Sequence, residues 1–419
     1  MIVREVLGNG LRLITEAMPH VRSISVGVWL TRGSRHEPEE WSGIAHFVEH
    51  MLFKGTATRT AEDIAQEIDS IGGQLDAFTA KEYASYYIKV LDEHLPRALD
   101  VLSDIVLRPA FALDDIEREK KVILEEIKMV EDTPDDLVHE LFTQSFWEGH
   151  PLGRPILGTP ETVEALTQEA LRDYFRRVYT ANNFVISAVG NLEHAQVRDV
   201  VERTFADIVR TGDVAIERVP VVAPTFVVRN KELEQSHICL GTTGYSQGHD
   251  DRYVSYVLNT LLGGSMSSRL FQNVREKRGL AYAVFSGLSA YRDAGALTIY
   301  AGCATEAVGE VIDLTVEELR GVKTAPVPDS ELRRAKDHLK GSLMLSLENT
   351  ASRMSHLARQ EIYFDRQFGL DETLVGVERV TAADLQRVAA DLFVDGALAG
   401  TVLGPLDGWK YPAERLHLG

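Results

Sequence analysis

The sequence predicts an α+β fold with two similar domains, each an antiparallel sheet with helices packed on one face. Runs in which every second residue is apolar, typical of strands, are interspersed with runs that have helical spacing. The order of these runs in the first half of the chain recurs in the second half. With 419 residues, the chain is also too long for one ordinary hydrophobic core, which favours two domains.

Each element of the first half is predicted from its own pattern. Apolar residues alternate over 24–30, ISVGVWL, which predicts a strand, and residues 61–71 have the spacing of an amphipathic helix that ends at two glycines. The same criteria predict, along the rest of this half, a helix that contains the HFVEH at 46–50, a β-hairpin formed by 73–79 and 82–90, and helices over 94–107 and 114–131.

The second half begins after a stretch that has no helical period. Residues 211–225 carry two prolines and predict a linker. The chain is therefore divided into a first domain, 1–212, a linker, 213–225, and a second domain, 226–419. Beyond the linker, a strand, a helix and a hairpin follow in the order already seen.

The repetition can be checked by register. A single constant offset aligns Thr167 with Thr381 and Gly190 with Gly404, and the order of helix and strand is kept without a gap. We therefore interpret the two domains as copies of one unit.

The charge balance limits the classes of partner. The chain has 63 acidic and 44 basic residues, a formal net charge of −19, and such a surface repels the phosphates of nucleic acid. We expect no nucleic-acid partner, whereas positively charged peptides fit this balance.

No apolar run approaches the roughly 20 residues that span a bilayer. The N-terminus has no basic head followed by an apolar stretch, so we expect a cytoplasmic protein without a membrane partner.

Two histidines and a glutamate lie within the five residues HFVEH. Residues four apart lie on the same face of a helix, so His46 and His50 point in one direction and Glu49 lies beside them. Two imidazole nitrogens at this spacing suit Zn²⁺, and a neighbouring carboxylate suits a general base. Satisfied core histidines are the alternative, but H-x-x-E-H at helical spacing favours a metal site.

A catalytic zinc usually has three protein ligands, so a third ligand is expected elsewhere. On the predicted helix 114–131, a helical wheel places Glu119 and Glu126 near the middle of an apolar arc that includes Val122 and Met129. A carboxylate on a core-facing stripe is destabilising unless it is paired or binds a cation. We therefore predict Glu126 as the third ligand and Glu119 as a residue that orients a ligand. The alternative is that both are solvated glutamates.

The second domain lacks this chemistry. If Gly55 is aligned with Gly264, the H-x-x-E-H positions meet Ser255, Leu258 and Asn259, and at the constant offset that aligns Thr167 with Thr381, Glu126 meets Lys340. None of these side chains is a usual zinc ligand. We therefore expect one zinc ion per chain.

These residues resemble those of the pitrilysin-type metallopeptidases, the inverted-zincin family that includes insulin-degrading enzyme and the mitochondrial processing peptidase β-subunit. HFVEHMLFKGT is similar to the zinc helix of that family, and Glu126 follows His50 at a spacing similar to that of its third ligand. Glu119 matches a supporting glutamate. The resemblance covers the whole chain, and its two domains make it most similar to the bacterial homologues of the processing peptidase β-subunit.

Two further segments extend the resemblance. LDAFTAKE is similar to the edge strand on which the family lays extended substrates, which implies that Ala77, Phe78 and Thr79 lend backbone groups to a peptide. SSRLFQNVREKRGLAYAVFSG is similar to a second-domain motif in which an arginine and a tyrosine contact the substrate. Here they are Arg275 and Tyr282. Without the resemblance, the two would be interpreted as a surface arginine and a core tyrosine.

The resemblance implies a zinc-dependent endopeptidase that hydrolyses unfolded peptides or short polypeptides inside a closed chamber. Glu49 is then the general base on zinc-bound water, and Glu119, Arg275 and Tyr282 support catalysis. A homodimer is also implied, in which Arg275 and Tyr282 are supplied across the interface; action of both residues within their own chain is the alternative. The alternative is a non-catalytic structural or partner subunit with the same fold, since some relatives keep the fold with damaged metal sites.

Overall fold

The structure, a computed structural model of the chain, describes residues 1–210 and 218–419. Part of the predicted linker 213–225 therefore lies outside the described residues. Among the residues that are described, no helix combines the length and the apolar character needed to cross a lipid bilayer.

Residues 1–210 contain six strands and eight α-helices. The strands are β1 (Ile2–Val6), β2 (Arg12–Ala17), β3 (Ser23–Leu30), β4 (Gln74–Thr79), β5 (Ala84–Leu91) and β6 (Phe184–Gly190). The helices are α1 (Ile44–Leu52), α2 (Ala61–Ser70), α3 (Leu95–Leu107), α4 (Leu113–Asp132), α5 (Pro134–Phe146), α6 (Pro160–Ala165), α7 (Gln168–Val178) and α8 (His194–Thr204).

The six strands form one sheet in the order β1-β2-β6-β3-β5-β4, which places β4 at an edge. The predicted hairpin of β4 and β5 is confirmed, with Ala77 opposite Tyr86. One neighbouring pair, β2 and β6, runs parallel, with Arg12 opposite Val185. The sheet is therefore mixed rather than purely antiparallel. Every residue of β6 is buried, as is usual for a strand that helices cover on both faces.

Residues 218–419 repeat this plan with five strands and six α-helices. The strands are β7 (Phe226–Asn230), β8 (Ser236–Gly244), β9 (Ala281–Ala290), β10 (Gly295–Cys303) and β11 (Ala399–Gly404). The helices are α9 (Arg252–Leu262), α10 (Val308–Thr324), α11 (Asp329–Ser346), α12 (Thr350–Phe364), α13 (Leu370–Glu378) and α14 (Ala382–Leu392). The sheet order is β7-β11-β8-β10-β9, and here too one pair, β7 and β11, is parallel.

The α+β class with two helix-packed sheets is confirmed, but each sheet carries helices on both faces instead of one. On β3, Val26 and Val28 belong to the main core of the first sheet, whereas Trp29 points to the opposite face. That opposite face packs against Met354 and Leu357 of α12, a helix from the second half of the chain. The second face was not predicted because its covering helix is so distant from β3 along the sequence.

The second sheet has the corresponding arrangement. Phe142 and Phe146 of α5, a helix from the first half of the chain, pack against Tyr300 and Leu403 of the second sheet. The strand residues next to Tyr300 and Leu403, such as Ile299 and Val402, point to the opposite face and belong to the main core of that sheet. Each sheet is therefore completed by a helix from the other half of the chain.

The described residues form two compact units that reflect this exchange. The first consists of Met1–Met129, the described part of Arg154–Glu217, and Leu345–Gln367. The second consists of Val130–Gly153, Arg218–Met344 and Phe368–Gly419. Contiguous domains 1–212 and 226–419 would instead assign α5 to the first and α12 to the second. The division of the sequence at the linker stays a prediction.

The constant offset between the two copies is visible in the helices. Helix α7 covers 168–178 and α14 covers 382–392, so that their ends correspond residue by residue. Each begins after a threonine whose hydroxyl accepts a backbone N–H of the first turn, Thr167 from Ala170 and Thr381 from Asp384. The same cap at the same register supports the interpretation of two copies.

Candidate metal centre

Helix α1 is held by an apolar stripe on one side. The stripe has the i, i+3, i+4, i+7 spacing of an amphipathic helix and is at most 1 % exposed: Ile44, Phe47, Val48 and Met51. His46, Glu49 and His50 lie outside this stripe and are partly exposed. The pattern that buries one side of the helix therefore presents all three polar side chains on the other side.

Helix α4 supplies the predicted third ligand. Ile123 is fully buried and Glu119 is 5 % exposed, so this carboxylate does lie on the core-facing stripe. Val122 and Met129 are 43 % and 67 % exposed, so the apolar arc is narrower than predicted. Glu126 follows Glu119 by seven residues, two turns along the same face.

The three predicted ligands come together in the first unit. Oε2 of Glu126 lies 3.7 Å from Nε2 of His46 and 3.6 Å from Nε2 of His50. One candidate ligand atom from each residue lies within 4.8 Å of the others. Within the described parts of the chain, this is the one group of three or more histidine, cysteine, aspartate or glutamate side chains that converges in this way.

This arrangement fits a zinc ion. Ligand atoms about 2.0–2.2 Å from a tetrahedral zinc lie roughly 3.3–3.6 Å from one another, close to the distances measured between the histidines and Glu126. Oε2 of Glu126, the oxygen that faces both imidazoles, is buried and has no hydrogen-bond partner among the described residues. Burial, assisted by the neighbouring His50, lowers the pKa of His46 to about 3. The imidazole is therefore neutral at pH 7, as a metal ligand must be.

Glu119 supports the site through His50. Its Oε2 lies 3.0 Å from Nδ1 of His50, which leaves Nε2 of the same ring free to face Glu126. A histidine that donates Nδ1–H to a carboxylate keeps its Nε2 lone pair available and becomes a better ligand. The other oxygen of Glu119 pairs with Nζ of Lys54 at 2.8 Å. The prediction for Glu119 thus has a geometric basis.

Lys54 was not predicted. It lies four residues after His50, a spacing that brings two side chains to one side of a helix or its end. The spacing could have placed Lys54 near His50, but it does not identify Glu119 as the partner of the lysine.

Glu49 is oriented by a residue of the edge strand. The hydroxyl of Thr79, the last residue of β4, donates a hydrogen bond to Oε2 of Glu49. Burial raises the pKa of Glu49, and the hydrogen bond from Thr79 opposes that rise because it stabilises the ionised form. Sequence reasoning gave Thr79 only a backbone role, since nothing in the pattern of β4 connects its side chain with α1.

A cavity opens beside these residues, still within the first unit. Its volume is about 250 Å³, and it is lined by Glu49, His50, Phe53, Lys54, Leu75, Asp76 and Ala77. The lining combines apolar side chains with ionisable ones and includes part of β4. The cavity therefore joins the catalytic candidate Glu49 to the strand predicted to hold substrate.

The predicted substrate strand lies where such a role requires it. β4 is an edge strand, and its residue Phe78 is 37 % exposed. An edge strand presents backbone N–H and C=O groups that can pair with an extended peptide. The substrate roles of Ala77, Phe78 and Thr79 stay predictions.

Arg275 and Tyr282 belong to the second unit, whereas the three metal-ligand candidates belong to the first. The guanidinium carbon of Arg275 lies 5.7 Å from the ring centre of Tyr282 and 4.7 Å from that of Phe271. Tyr282 is 81 % exposed, so it is not a core tyrosine. The structure brings these two predicted residues together, and their roles toward substrate stay predictions.

Comparison with protein families gives two matches that together cover most of the chain. Residues 12–160 match the family described as "Insulinase (Peptidase family M16)". Residues 165–339 match the family described as "Peptidase M16 inactive domain". The first range contains H-x-x-E-H and Glu126, and the second contains the positions where the repeated copy lacks the histidines and Glu49.

Curated relatives are similar over nearly their whole length. An "Uncharacterized zinc protease YmxG" of Bacillus subtilis is 45 % identical over 95 % of this chain and 98 % of its own. A protein of Mycobacterium leprae, also named an uncharacterized zinc protease, is 40 % identical over 100 % of this chain and 95 % of its own.

Solved structures share the fold. A protease from Helicobacter pylori superimposes with a TM-score of 0.89 at 22 % identity, over 97 % of this chain and 99 % of the other. A Pseudomonas fluorescens structure titled as a peptidase M16 inactive domain also gives 0.89, at 21 % identity and over 97 % and 98 %. The sequence matches, which extend over the full chain, confirm the resemblance noted above: the chain belongs to peptidase family M16, the insulinase family of zinc proteases.

Proposed function

We propose that this chain is a zinc-dependent endopeptidase that cleaves extended peptides, with His46, His50 and Glu126 as zinc ligands. The observation that carries the proposal is the convergence of these three side chains. Glu49, a neighbouring carboxylate that is not one of the three ligand candidates, can serve as the base. The names of the relatives, which describe zinc proteases, agree with it. Because the repeated copy lacks the ligand set, the proposal is one zinc ion per chain.

The residues have distinct roles in the proposed reaction. Zinc, when bound, supplies Lewis-acid chemistry that lowers the pKa of a water and polarises a peptide carbonyl. Glu49 accepts the proton of the attacking water and passes it to the amine that leaves. The hydrogen bond from Thr79 favours the ionised form of the Glu49 carboxylate and holds the carboxylate in one direction. Glu119 holds the His50 ring in the orientation that presents Nε2.

The substrate is proposed to be an unfolded peptide that pairs with β4. Because main-chain hydrogen bonds supply the contact, pairing needs an extended segment and tolerates many sequences. The cavity of about 250 Å³ next to Glu49 is large enough for one substrate side chain. The net charge of −19 favours basic peptides over acidic ones. Equal cleavage of matched Lys-rich and Glu-rich peptides at low and high salt would remove this electrostatic preference.

The second unit is proposed to contribute Arg275 and Tyr282, with the tyrosine hydroxyl stabilising the developing oxyanion. By family resemblance, two copies of the chain form a homodimer that encloses the substrate in a chamber, and each copy supplies these two residues to the other. Light scattering of the purified chain tests the dimer. Mixing inactive Glu49→Gln and Tyr282→Phe chains tests the exchange, since recovery of activity requires residues from both copies.

The decisive experiment is hydrolysis of a fluorescence-quenched peptide by the purified chain, with chelator and after addition of zinc. Glu49→Gln should bind zinc normally and lose turnover, because the ligands remain and the proton acceptor is gone. His50→Ala should lose both zinc and turnover. If Glu49→Gln kept near-normal activity, Glu49 would not be the base. If wild type took up zinc but cleaved no peptide, the alternative of a non-catalytic subunit would be favoured.

A further inference from the structure

The start of the zinc helix α1 lacks the usual cap. The N–H groups of a first helical turn have no partner within the helix, and the side chain of the N-cap residue normally accepts one of them. Here the N-cap is Gly43, which has no side chain and adopts a left-handed conformation with φ +95°. A Cβ at this position would lie 2.6 Å from the carbonyl oxygen of Leu157, so a capping side chain has no room.

A glutamate from outside the helix takes this place. Oε2 of Glu37 accepts the backbone N–H of Gly43 at 2.9 Å, and Oε1 accepts that of Ala45 at 2.8 Å. Glu37 is 4 % exposed, and both of its oxygens are used. Ala45 directly precedes the ligand candidate His46.

Building on the proposed function, we propose that Glu37 is a positioning residue of the metal centre, which fixes the start of α1 where His46 and His50 can meet Glu126. Neither the sequence motif nor the ligand geometry assigns a role to this residue. Its effect on zinc is indirect, because its carboxylate contacts the helix backbone and not the ligand side chains.

The support of Glu37 connects α1 with the substrate strand. Glu37 directly follows a short 3-10 turn, Ser34–His36. In this turn the N–H groups of Ser34 and Arg35 donate to the carbonyl oxygens of Ala80 and Lys81, at 3.1 and 2.8 Å. These two acceptors come immediately after β4. The carboxylate therefore links the start of the zinc helix to the end of the edge strand.

A second link joins the same two elements one turn further along the helix. Thr79, at the end of β4, donates its hydroxyl to Glu49. The two links lie on either side of His46 in the sequence, so together they fix both the position of α1 along its axis and its rotation. The backbone of Glu37 is held as well, because Nη2 of Arg154 donates to its carbonyl oxygen at 2.9 Å.

Two substitutions of Glu37 weaken its contact with the start of α1 in different ways. In Glu37→Gln one acceptor oxygen becomes an NH₂ donor that faces a backbone N–H, so one of the two hydrogen bonds is lost. In Glu37→Asp the charge remains, but the carboxylate is withdrawn by about 1.5 Å, the length of one C–C bond, and cannot reach both N–H groups.

A matched control is available in the same unit. Glu361 is also a fully buried carboxylate with both oxygens in use, at 2.9 and 2.8 Å from Nη2 and Nε of Arg4. It lies on α12 and makes no hydrogen bond to α1 in the described chain. Glu361→Gln therefore reports the effect of losing a buried carboxylate without disturbing the zinc helix.

The experiment measures zinc binding by competition with a fluorescent chelator and, separately, the visible absorption of bound Co²⁺, for wild type, Glu37→Gln, Glu37→Asp and Glu361→Gln. Burial raises the pKa of Glu37 to about 8, so binding is measured at a pH of about 8.5, above that pKa, where most of the carboxylate is ionised. Circular dichroism establishes that each variant is folded. We expect zinc affinity to fall at least about tenfold in both Glu37 variants, with a changed Co²⁺ spectrum, and to stay at the wild-type value in Glu361→Gln.

Three results would overturn the inference. Wild-type affinity and spectrum in a folded Glu37 variant would show that the contact does not position the ligands. An equal loss in Glu361→Gln would show that general destabilisation is responsible. Failure of wild type to bind zinc would remove the proposed function and this inference together, whereas the first two results leave the proposed function intact.

Discussion

The hydrogen bond from Thr79 to Glu49 predicts how the activity depends on pH. A donor to a carboxylate stabilises its ionised form, so removal of the hydroxyl in Thr79→Val should raise the pKa of Glu49. A general base must be ionised to accept a proton. The variant should therefore lose activity at low pH first, and the acid limb of the kcat/KM profile should move to higher pH.

The size of the shift follows from the strength of the bond. A hydrogen bond to a charged group contributes about 1.5–3 kcal/mol, and each pKa unit corresponds to about 1.4 kcal/mol. Glu49 is partly exposed, so water replaces some of the lost interaction, and the lower end of this range applies. We expect the acid limb to move up by about one pH unit, with a smaller change on the alkaline side.

The assay is peptide hydrolysis over a pH series, with zinc content measured at each pH so that metal loss is not mistaken for protonation. Thr79→Ser is the matched control, because it keeps the hydroxyl and should keep the wild-type profile. An acid limb that does not move in Thr79→Val would refute the argument that the hydroxyl of Thr79 lowers the pKa of Glu49. A shift of equal size in Thr79→Ser would show that packing, and not the hydrogen bond, is responsible.

Two further predictions concern the second carboxylate and the exchanged helix. Glu119→Gln removes the charge that faces Nδ1 of His50 and should weaken zinc binding about 10–100-fold, or about 1.4–2.7 kcal/mol, in chelator competition; unchanged affinity would contradict the role given to Glu119. The fragment 1–212, expressed alone, should bind a hydrophobic dye and melt without a cooperative transition, because α12 is missing from one face of its sheet. Adding a peptide or a tethered segment that contains Thr350–Phe364 should restore cooperative melting, and a fragment that already melts cooperatively would contradict the packing argument.

The convergence of the three predicted metal ligands could be anticipated because the relevant physics is local. The i, i+4 spacing of His46 and His50 fixes their common direction in any helix, and the apolar neighbours of Glu119 and Glu126 place both carboxylates near the buried side of their helix. The same wheel was wrong for Val122, which is 43 % exposed. Periodicity gives the centre of a buried stripe more reliably than its width, because the width depends on what packs there.

Several contacts that sequence reasoning missed join separate parts of the chain. Thr79 on the edge strand meets Glu49 on α1, and Lys54 just beyond α1 meets Glu119 on α4. The exchange of α5 and α12 was missed for the same reason, since the apolar face of a helix does not identify the sheet that it covers. The central strands β6, FVISAVG, and β11, AGTVLG, carry no charged residue, and the structure buries both along their whole length, as is usual for strands that helices cover on both faces.

The exchanged helix has a consequence for biosynthesis. The last strand of the first sheet ends at Gly190, and the helix that covers its second face begins at Thr350, so the whole stretch between them must still be translated before that face can be closed. At ordinary ribosomal speeds of roughly 5–20 residues per second, this takes on the order of ten seconds or more. During that interval Trp29, Val185 and Val189 lack the α12 side chains that cover them in the folded chain, so the nascent chain exposes an apolar face that is prone to aggregate.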